Sequence, residues 1–346
     1  MSAAQIRKAK RKTLLWLQSG GCGGCSLSLL GAEGPDLYAA FDAAGIDVLW
    51  HPSISVGGGS DYIALLERVE SGKQELDFLC LEGAVMRGPN GSGRFHMMSG
   101  TDRSVMDWVE ALARQAGTVV AVGSCAAFGG ITAAGSNEVD ACGLSYEGRR
   151  GGGLLGTEFR SKNGLPVVNI AGCPIHPDWF TETLHQLAKG RFSRADFDEF
   201  ERPIAYTQHL VHHGCGRNEF YEYKASAERL CDLGCMMENL GCKGTQARAD
   251  CNLRPWNGVG SCLDGNYPCI NCTAPQFENP GHAFTMTPKI SGIPVGLPTD
   301  MPKAWFVALA SLSKAATPSR LRENAVADHV THPPTEKSGE KSGRKS

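Results

Sequence analysis

The sequence predicts an α/β protein in two parts: a doubly wound parallel sheet, then a cysteine-rich, mostly irregular and helical region. Two observations predict this. Up to about Arg202, short apolar runs alternate with stretches of helical spacing, the pattern of strands joined by crossover helices. Beyond it the strand-like runs stop. His212, Cys215, Cys235, Cys242, Cys251, Cys262, Cys269 and Cys272 then fall within one loop-rich segment. At that density thiolates hold zinc or iron–sulfur clusters, and metal binding helps to fold the segment.

The elements follow in order. Thr13–Gln18 (TLLWLQ) reads as a buried strand, followed by a glycine-rich loop and a helix from about Ser26. Ile46–Trp50 is a second strand, Tyr62–Glu70 a helix and Leu76–Leu81 a third strand. Asp102–Gln115 reads as a helix with Asp102 near its cap. Thr118–Val122 and Pro166–Ile170 are further strands, and Asp178–Leu187 is a helix. Such a sheet is flavodoxin-like, covered on both faces, with chemistry at the carboxyl ends of its strands. The expected division is a sheet domain over 1–201, a cysteine-rich domain over 202–316 and a polar, disordered tail over 317–346. Residues 281–312 read as a segment wrapping a partner or the domain itself.

Composition narrows the function. A chain of 346 residues suits about two domains. A formal net charge of -2 argues against nucleic acid or an anionic membrane surface as a partner. No run reaches the ~20 apolar residues of a membrane span; Ala304–Leu312 comes nearest. The basic first residues run into a strand without a signal-type apolar stretch. The expectation is a cytoplasmic location, with peripheral membrane association left open. In that compartment clustered cysteines are ligands more often than disulfides.

Three loops at strand ends carry a second cysteine set. Cys22 and Cys25 form C-G-G-C after the first strand. Cys125 follows Thr118–Val122 in V-G-S-C-A, and Cys173 follows Pro166–Ile170 in A-G-C-P-I-H-P. Loops at one edge of a doubly wound sheet converge, so four thiolates can share one [4Fe–4S] cluster. The glycines at 20, 21, 23, 24, 123 and 172 let backbone N–H groups approach it. By spacing alone zinc is also open. Cys80, in mid-strand, and Cys142 read as structural. Glu82 ends the third strand near this set and reads equally as a tuning or proton-carrying group or as a helix cap or salt-bridge partner. Asp61 is similar, and an oxygen ligand there in place of one thiolate stays open.

These motifs together resemble the small, electron-transferring subunit of [NiFe] hydrogenases over roughly residues 13–280. The resemblance rests on W-L-Q-S-G-G-C-G-G-C-S, L-E-G-A, V-G-S-C-A-A-F-G-G-I, A-G-C-P-I-H-P, H-H-G-C-G-R, L-G-C-K-G-T and C-I-N-C. It implies three iron–sulfur clusters, an electron path from hydrogen oxidation, and a large subunit that holds the nickel–iron site, with no nickel in this chain. Proximal ligands would be Cys22, Cys25, Cys125 and Cys173. Distal ligands would be His212, Cys215, Cys235 and Cys242, near the point where an external acceptor collects electrons. Medial ligands would be Cys251, Cys269 and Cys272, with Cys262 standing about where the family usually has a proline. A fourth thiolate implies a medial [4Fe–4S] cluster in place of the usual [3Fe–4S]; the three-iron form is the alternative.

The resemblance has further consequences. The spacing of Cys235 and Cys242 is one residue longer than usual, which makes Cys231 a rival for Cys235. His213 rivals His212, and spacing favours His212. His176 is expected to pack or hydrogen-bond, and Arg217 and Lys243 to offset cluster charge or simply to be solvated. The C-G-G-C carries no extra cysteines, and the whole is most similar to the soluble, high-affinity actinobacterial-type group. A dimer of heterodimers is implied, and no acid or base of this chain is assigned a catalytic role. The rival readings are an iron–sulfur subunit of a related quinone-reductase-type complex, which would not need the second cysteine region, and a zinc-stapled binding module.

Overall fold

The computed structural model describes residues 10–334. Residues 1–9 and the last part of the expected polar tail, 335–346, lie outside the described residues. The chain forms two units.

The first unit contains residues up to Val211 together with Ala247–Ser261 and Asn271–Gly281. The strands of its main sheet are β1 (Lys12–Gln18), β2 (Ile46–Trp50), β3 (Phe78–Glu82), β4 (Thr118–Val122) and β5 (Val168–Ile170). They form one parallel sheet in the order β2-β1-β3-β4-β5, the flavodoxin-like order predicted from the alternation. The register pairs Leu15 with Leu79, Cys80 with Val120 and Val122 with Ile170.

Helices α1 (Gly24–Leu30), α2 (Leu37–Ala44), α3 (Gly59–Glu70), α4 (Val105–Gln115), α5 (Gly123–Phe128) and α6 (Pro177–Ala188) cover the sheet. Alternation along β1 divides its side chains between two faces. Leu15 and Leu17 join Leu66 and Val69 of α3 and Val109 and Leu112 of α4 in the main core. Trp16 points to the other face and meets Phe180 of α6 edge-on at 5.4 Å. Burial on both faces explains why β1 is continuously apolar. Cys80 and Cys142 are wholly buried, as their structural reading requires.

Two local differences have simple causes. Helix α4 starts at Val105, not near Asp102, because Ser104 caps it: the Asp107 N–H donates to Ser104 Oγ at 3.0 Å and the Ser104 hydroxyl donates to the Asp107 carboxylate at 2.7 Å. Helix α2, absent from the sequence reading, is capped by Asp36, which accepts from the Ala39 N–H at 2.9 Å, and is stopped by Gly45 at φ +69°.

The second unit contains His212–Gln246, Cys262–Ile270 and the described residues from His282 onward. Among its described residues the only strand pair is the short Lys289–Ile290 with Ile293–Pro294. A short helix at Asn218–Glu222 is followed much later by α7 (Lys303–Ala315) and α8 (Ser319–Ala325). Its buried apolar groups are small: Tyr221, Met237 and Phe306 in one, Ala225, Leu321 and Ala325 in another. Side chains brace the backbone instead. The Arg217 guanidinium donates to the carbonyls of Asp232 and Gly234 at 2.7 and 2.8 Å, and Asp232 accepts from the N–H groups of Glu228 and Arg229.

The expected boundaries shift accordingly. Segments 247–261 and 271–281 belong with the sheet because polar groups of the sheet unit hold them. Trp179 Nε1–H donates to Asp250 at 2.6 Å, Arg202 donates to the Thr273 carbonyl at 2.7 Å, and Ser124 Oγ donates to the Cys272 carbonyl at 2.5 Å. The tail expected to be disordered from residue 317 instead forms α8, with Leu321 fully buried. Asn324 then accepts from the N–H groups of Thr331 and His332. No helix among the described residues is long and apolar enough to cross a membrane.

Candidate metal centres

The sheet ends bring Cys22, Cys25, Cys125 and Cys173 together. Cys25 lies in the first turn of α1, directly after β1, and Cys125 lies in α5, directly after β4. Cys173 follows β5. Their thiols act on one another electrostatically: Cys25 with Cys125 and Cys173, and Cys125 and Cys173 with Cys22. Burial is the larger influence. It pushes the Cys25 and Cys125 thiols up, and pushes Cys173 up to about 12 with the neighbouring cysteines adding to it. Burial thus favours the protonated thiols of Cys25, Cys125 and Cys173, so an iron cluster would bind there with release of protons.

Small residues make the space. A Cβ on Gly123, which has φ +88°, would lie 2.5 Å from Cys25 Sγ, and one on Gly130 would lie 3.0 Å from Cys125 Sγ. The loops after β4 and β5 are tied together, since the Ser124 N–H donates to the Gly172 carbonyl at 2.9 Å and the Gly172 N–H donates to Ser124 Oγ at 3.0 Å.

Glu82 resolves into the cap. It is 2% exposed, at the end of β3 beside Gln18 of β1. Its Oε1 accepts from the N–H groups of Cys25 and Ser26 at 3.0 Å each, which caps α1 from a neighbouring strand. Its Oε2 accepts from the Ser26 hydroxyl at 2.5 Å and Trp16 Nε1–H at 3.2 Å. Both oxygens are therefore committed to donors, and the carboxylate fixes the peptide that carries Cys25. Asp61 is exposed on α3, where it accepts from the Gly58 N–H at 3.1 Å. The carboxylate beside the thiols is thus Glu82, and Asp61 serves its own helix. His176 also has both nitrogens occupied, with Nε2 2.9 Å from the Arg254 carbonyl and Nδ1 accepting from the Asp178 N–H. It packs and caps, as expected.

The second unit gathers Cys215, Cys235 and Cys242. Burial pushes the Cys235 thiol up to about 12, and Cys242 and Cys215 add to the shift. Cys242 is likewise raised by burial and by Cys215. The Arg217 N–H lies 3.4 Å from Cys215 Sγ, and its guanidinium favours the Cys215 thiolate. Cys231, the rival for Cys235, is exposed with Sγ 3.8 Å from Asp232. Lys243 lies by Cys269, whose carbonyl accepts its backbone N–H at 2.7 Å.

His212 stands out among the imidazoles. Its Nδ1 is buried and meets no hydrogen-bond partner, the state of a nitrogen poised to ligate a metal. Its Nε2 lies 2.8 Å from Asp300 Oδ2. His213 reaches the same oxygen at 3.4 Å and is the more exposed side chain, 43% against 15%. Asp300 lies 88 residues from His212, and no local motif in the sequence announces it. Of the remaining candidates, Cys251 and Cys272 belong to the first unit and Cys262 and Cys269 to the second. None of the fourteen cysteines forms a disulfide.

The donor sets fit iron–sulfur clusters: four thiols at the strand ends, three half-buried and Cys22 exposed, and in the second unit three thiols with an unpartnered imidazole nitrogen.

Comparison with known proteins matches two family models. The model for the NADH ubiquinone oxidoreductase 20 Kd subunit spans residues 22–187, and the model for the C-terminal region of the NiFe/NiFeSe hydrogenase small subunit spans residues 206–285. The F420 non-reducing hydrogenase II small subunit of Methanosarcina mazei is 31% identical over 81% of this chain and 77% of its own. The periplasmic [NiFeSe] hydrogenase small subunit of Desulfomicrobium baculatum is 31% identical over 80% of this chain and 87% of its own. Among solved structures, the actinobacterial-type NiFe-hydrogenase of Ralstonia eutropha H16 superposes with a TM-score of 0.73 at 27% identity, over 90% of this chain and 93% of that one. The [NiFeSe] hydrogenase of Desulfovibrio vulgaris Hildenborough gives 0.68 at 29%, over 81% and 99%.

Proposed function

This chain belongs to the [NiFe] hydrogenase small-subunit family, and from that premise we propose how its residues serve electron transfer. Its role is that of the electron-transfer subunit of a hydrogenase, paired with a large subunit. The family model over residues 206–285 sets it apart from the quinone-reductase-type component that shares the sheet.

The finer proposal has three parts. Cys22, Cys25, Cys125 and Cys173 hold a proximal [4Fe–4S] cluster. Cys215, Cys235, Cys242 and His212 hold a distal one. Cys251, Cys262, Cys269 and Cys272 hold a medial one, four-iron because Cys262 supplies a fourth thiolate. When bound, such clusters carry single electrons, and three in series link hydrogen oxidation in the large subunit to an acceptor outside. The residues of this chain hold the sulfurs at fixed points, exclude water by burial, and set charge around each site. An imidazole in place of a thiolate makes a cluster less negative and raises its potential, which suits an exit. A heterodimer that pairs into a dimer of heterodimers, and a cytoplasmic location, belong to the same proposal.

The observation that carries this reading is the convergence of the three strand-end loops that carry these four cysteines: Gly123 after β4 lies against Cys25 Sγ, and Ser124 is bonded to Gly172 beside Cys173. The test is iron and acid-labile sulfide per chain, with electron paramagnetic resonance, on the complex purified without oxygen. About 12 iron and 12 sulfide support three cubanes. About 11 iron with an oxidised three-iron signal removes Cys262 from the ligands. Zinc without sulfide sinks the proposal.

A further inference from the structure

The two ring nitrogens of His212 have different surroundings. Nε2 lies 2.8 Å from a carboxylate oxygen of Asp300, whereas Nδ1 is buried without a partner. The carboxylate accepts, so Nε2 presents its N–H to Asp300, and Nδ1, buried with no acceptor beside it, is the nitrogen left to ligate. The contact is built into the backbone. The His212 N–H donates to the Gly244 carbonyl at 3.1 Å, and the Thr299 N–H donates to the next carbonyl, that of Thr245, at 3.1 Å. The Thr299 hydroxyl donates to that same carbonyl at 3.2 Å. Consecutive peptides thus anchor the histidine and the residue before Asp300.

We propose that Asp300 is a positioning residue for the His-ligated exit cluster, fixing the Nε2–H tautomer of His212 and aiming Nδ1 at iron. The inference rests on the assignment of His212 as a cluster ligand made above. A carboxylate behind a ligating imidazole orients the ring and makes the nitrogen on iron a better donor. Stronger donation favours the oxidised cluster, so Asp300 holds the distal potential below the value an unsupported imidazole would give. His213 is a second hydrogen-bonding neighbour of the same oxygen and, with both imidazoles using Nε2, leaves only the Nδ1 of His212 buried and unpartnered.

The test uses the heterodimeric holoenzyme and reads the cluster directly. Pulsed electron paramagnetic resonance of the reduced distal cluster should give a strong nitrogen coupling together with an exchangeable Nε2 proton. Asp300→Asn should raise the distal midpoint potential by the equivalent of about tenfold in the reduction equilibrium, about 59 mV for one electron. Asp300→Glu should restore part of the shift. In a His212→Cys background Asp300→Asn should move the potential much less, because the imidazole through which it acts is gone. An equal shift in both backgrounds would reduce Asp300 to a through-space charge and overturn the inference alone. So would an unchanged potential and proton coupling in Asp300→Asn. Absence of nitrogen coupling in the wild type would overturn the ligand assignment itself. A stoichiometric non-iron metal bound by His212, His213 and Asp300 would overturn both.

Discussion

The sheet unit holds Cys22, Cys25, Cys125 and Cys173 at the ends of strands that need no metal to be buried. Leu14, Leu15, Trp16, Val120 and Val122 are all wholly inaccessible, and the core under α3 and α4 is continuous. The second unit holds Cys215, Cys235 and Cys242 with apolar groups of three residues and with side chains such as Arg217 bonded to loop carbonyls. Hydrophobic burial scales with area, so the first arrangement has its own folding energy and the second has little. Under the proposed assignment the same ligand chemistry therefore serves two roles: a passenger on a prefolded edge, and a part of the core.

Iron removal gives the largest contrast. In protein stripped of iron, amides of β1, β3 and β4 should keep their protection from hydrogen exchange, while 212–246 should exchange freely. Equal loss in both units would break the comparison. Next comes Glu82→Ala, which leaves the N–H groups of Cys25 and Ser26 and the Trp16 indole without their acceptor. A loss of roughly 3 kcal/mol or more is expected in denaturant unfolding of the sheet unit. With it the proximal cluster signal should broaden or weaken, and a sharp, unaltered signal would detach the cap from the cluster. In the second unit Leu321→Ala should cost about 2–4 kcal/mol locally. Its readout is faster exchange across α8 with the iron content unchanged; no effect would make α8 an ornament of the fold. The smallest change belongs to Asp61→Ala, about 0.5 kcal/mol from a lost first-turn acid. Its cluster spectrum should match the wild type, and a changed proximal signal would return Asp61 to the ligand sphere.

Much of the sheet unit was legible because its signals are local. Strand β1 is a run of apolar residues, the cysteine of each strand-end loop sits within a few residues of its strand, and the helix periods of α3, α4 and α6 are clean. The start of α4 and the presence of α2 were misread although their caps, Ser104 with Asp107 and Asp36 with Gly45, stand in the sequence. The role of Glu82 was not legible. A strand-end glutamate becomes a cap only when the pairing of β1 with β3 sets it beside α1.

In the second unit the cysteine spacing alone announced metal chemistry, because thiolates at that density have few other uses. Spacing favoured His212 over its neighbour His213 but carried no physical reason for the choice. Tertiary structure supplies the difference between them, by burying one ring nitrogen of His212 and bringing a carboxylate from far along the chain to the other. Nor did composition reveal that Leu321 folds into the tail, or that 247–261 and 271–281 join the sheet. Local pattern determines elements and ligand types. Burial, and hydrogen bonds between residues distant in sequence, determine which of those groups are oriented for use.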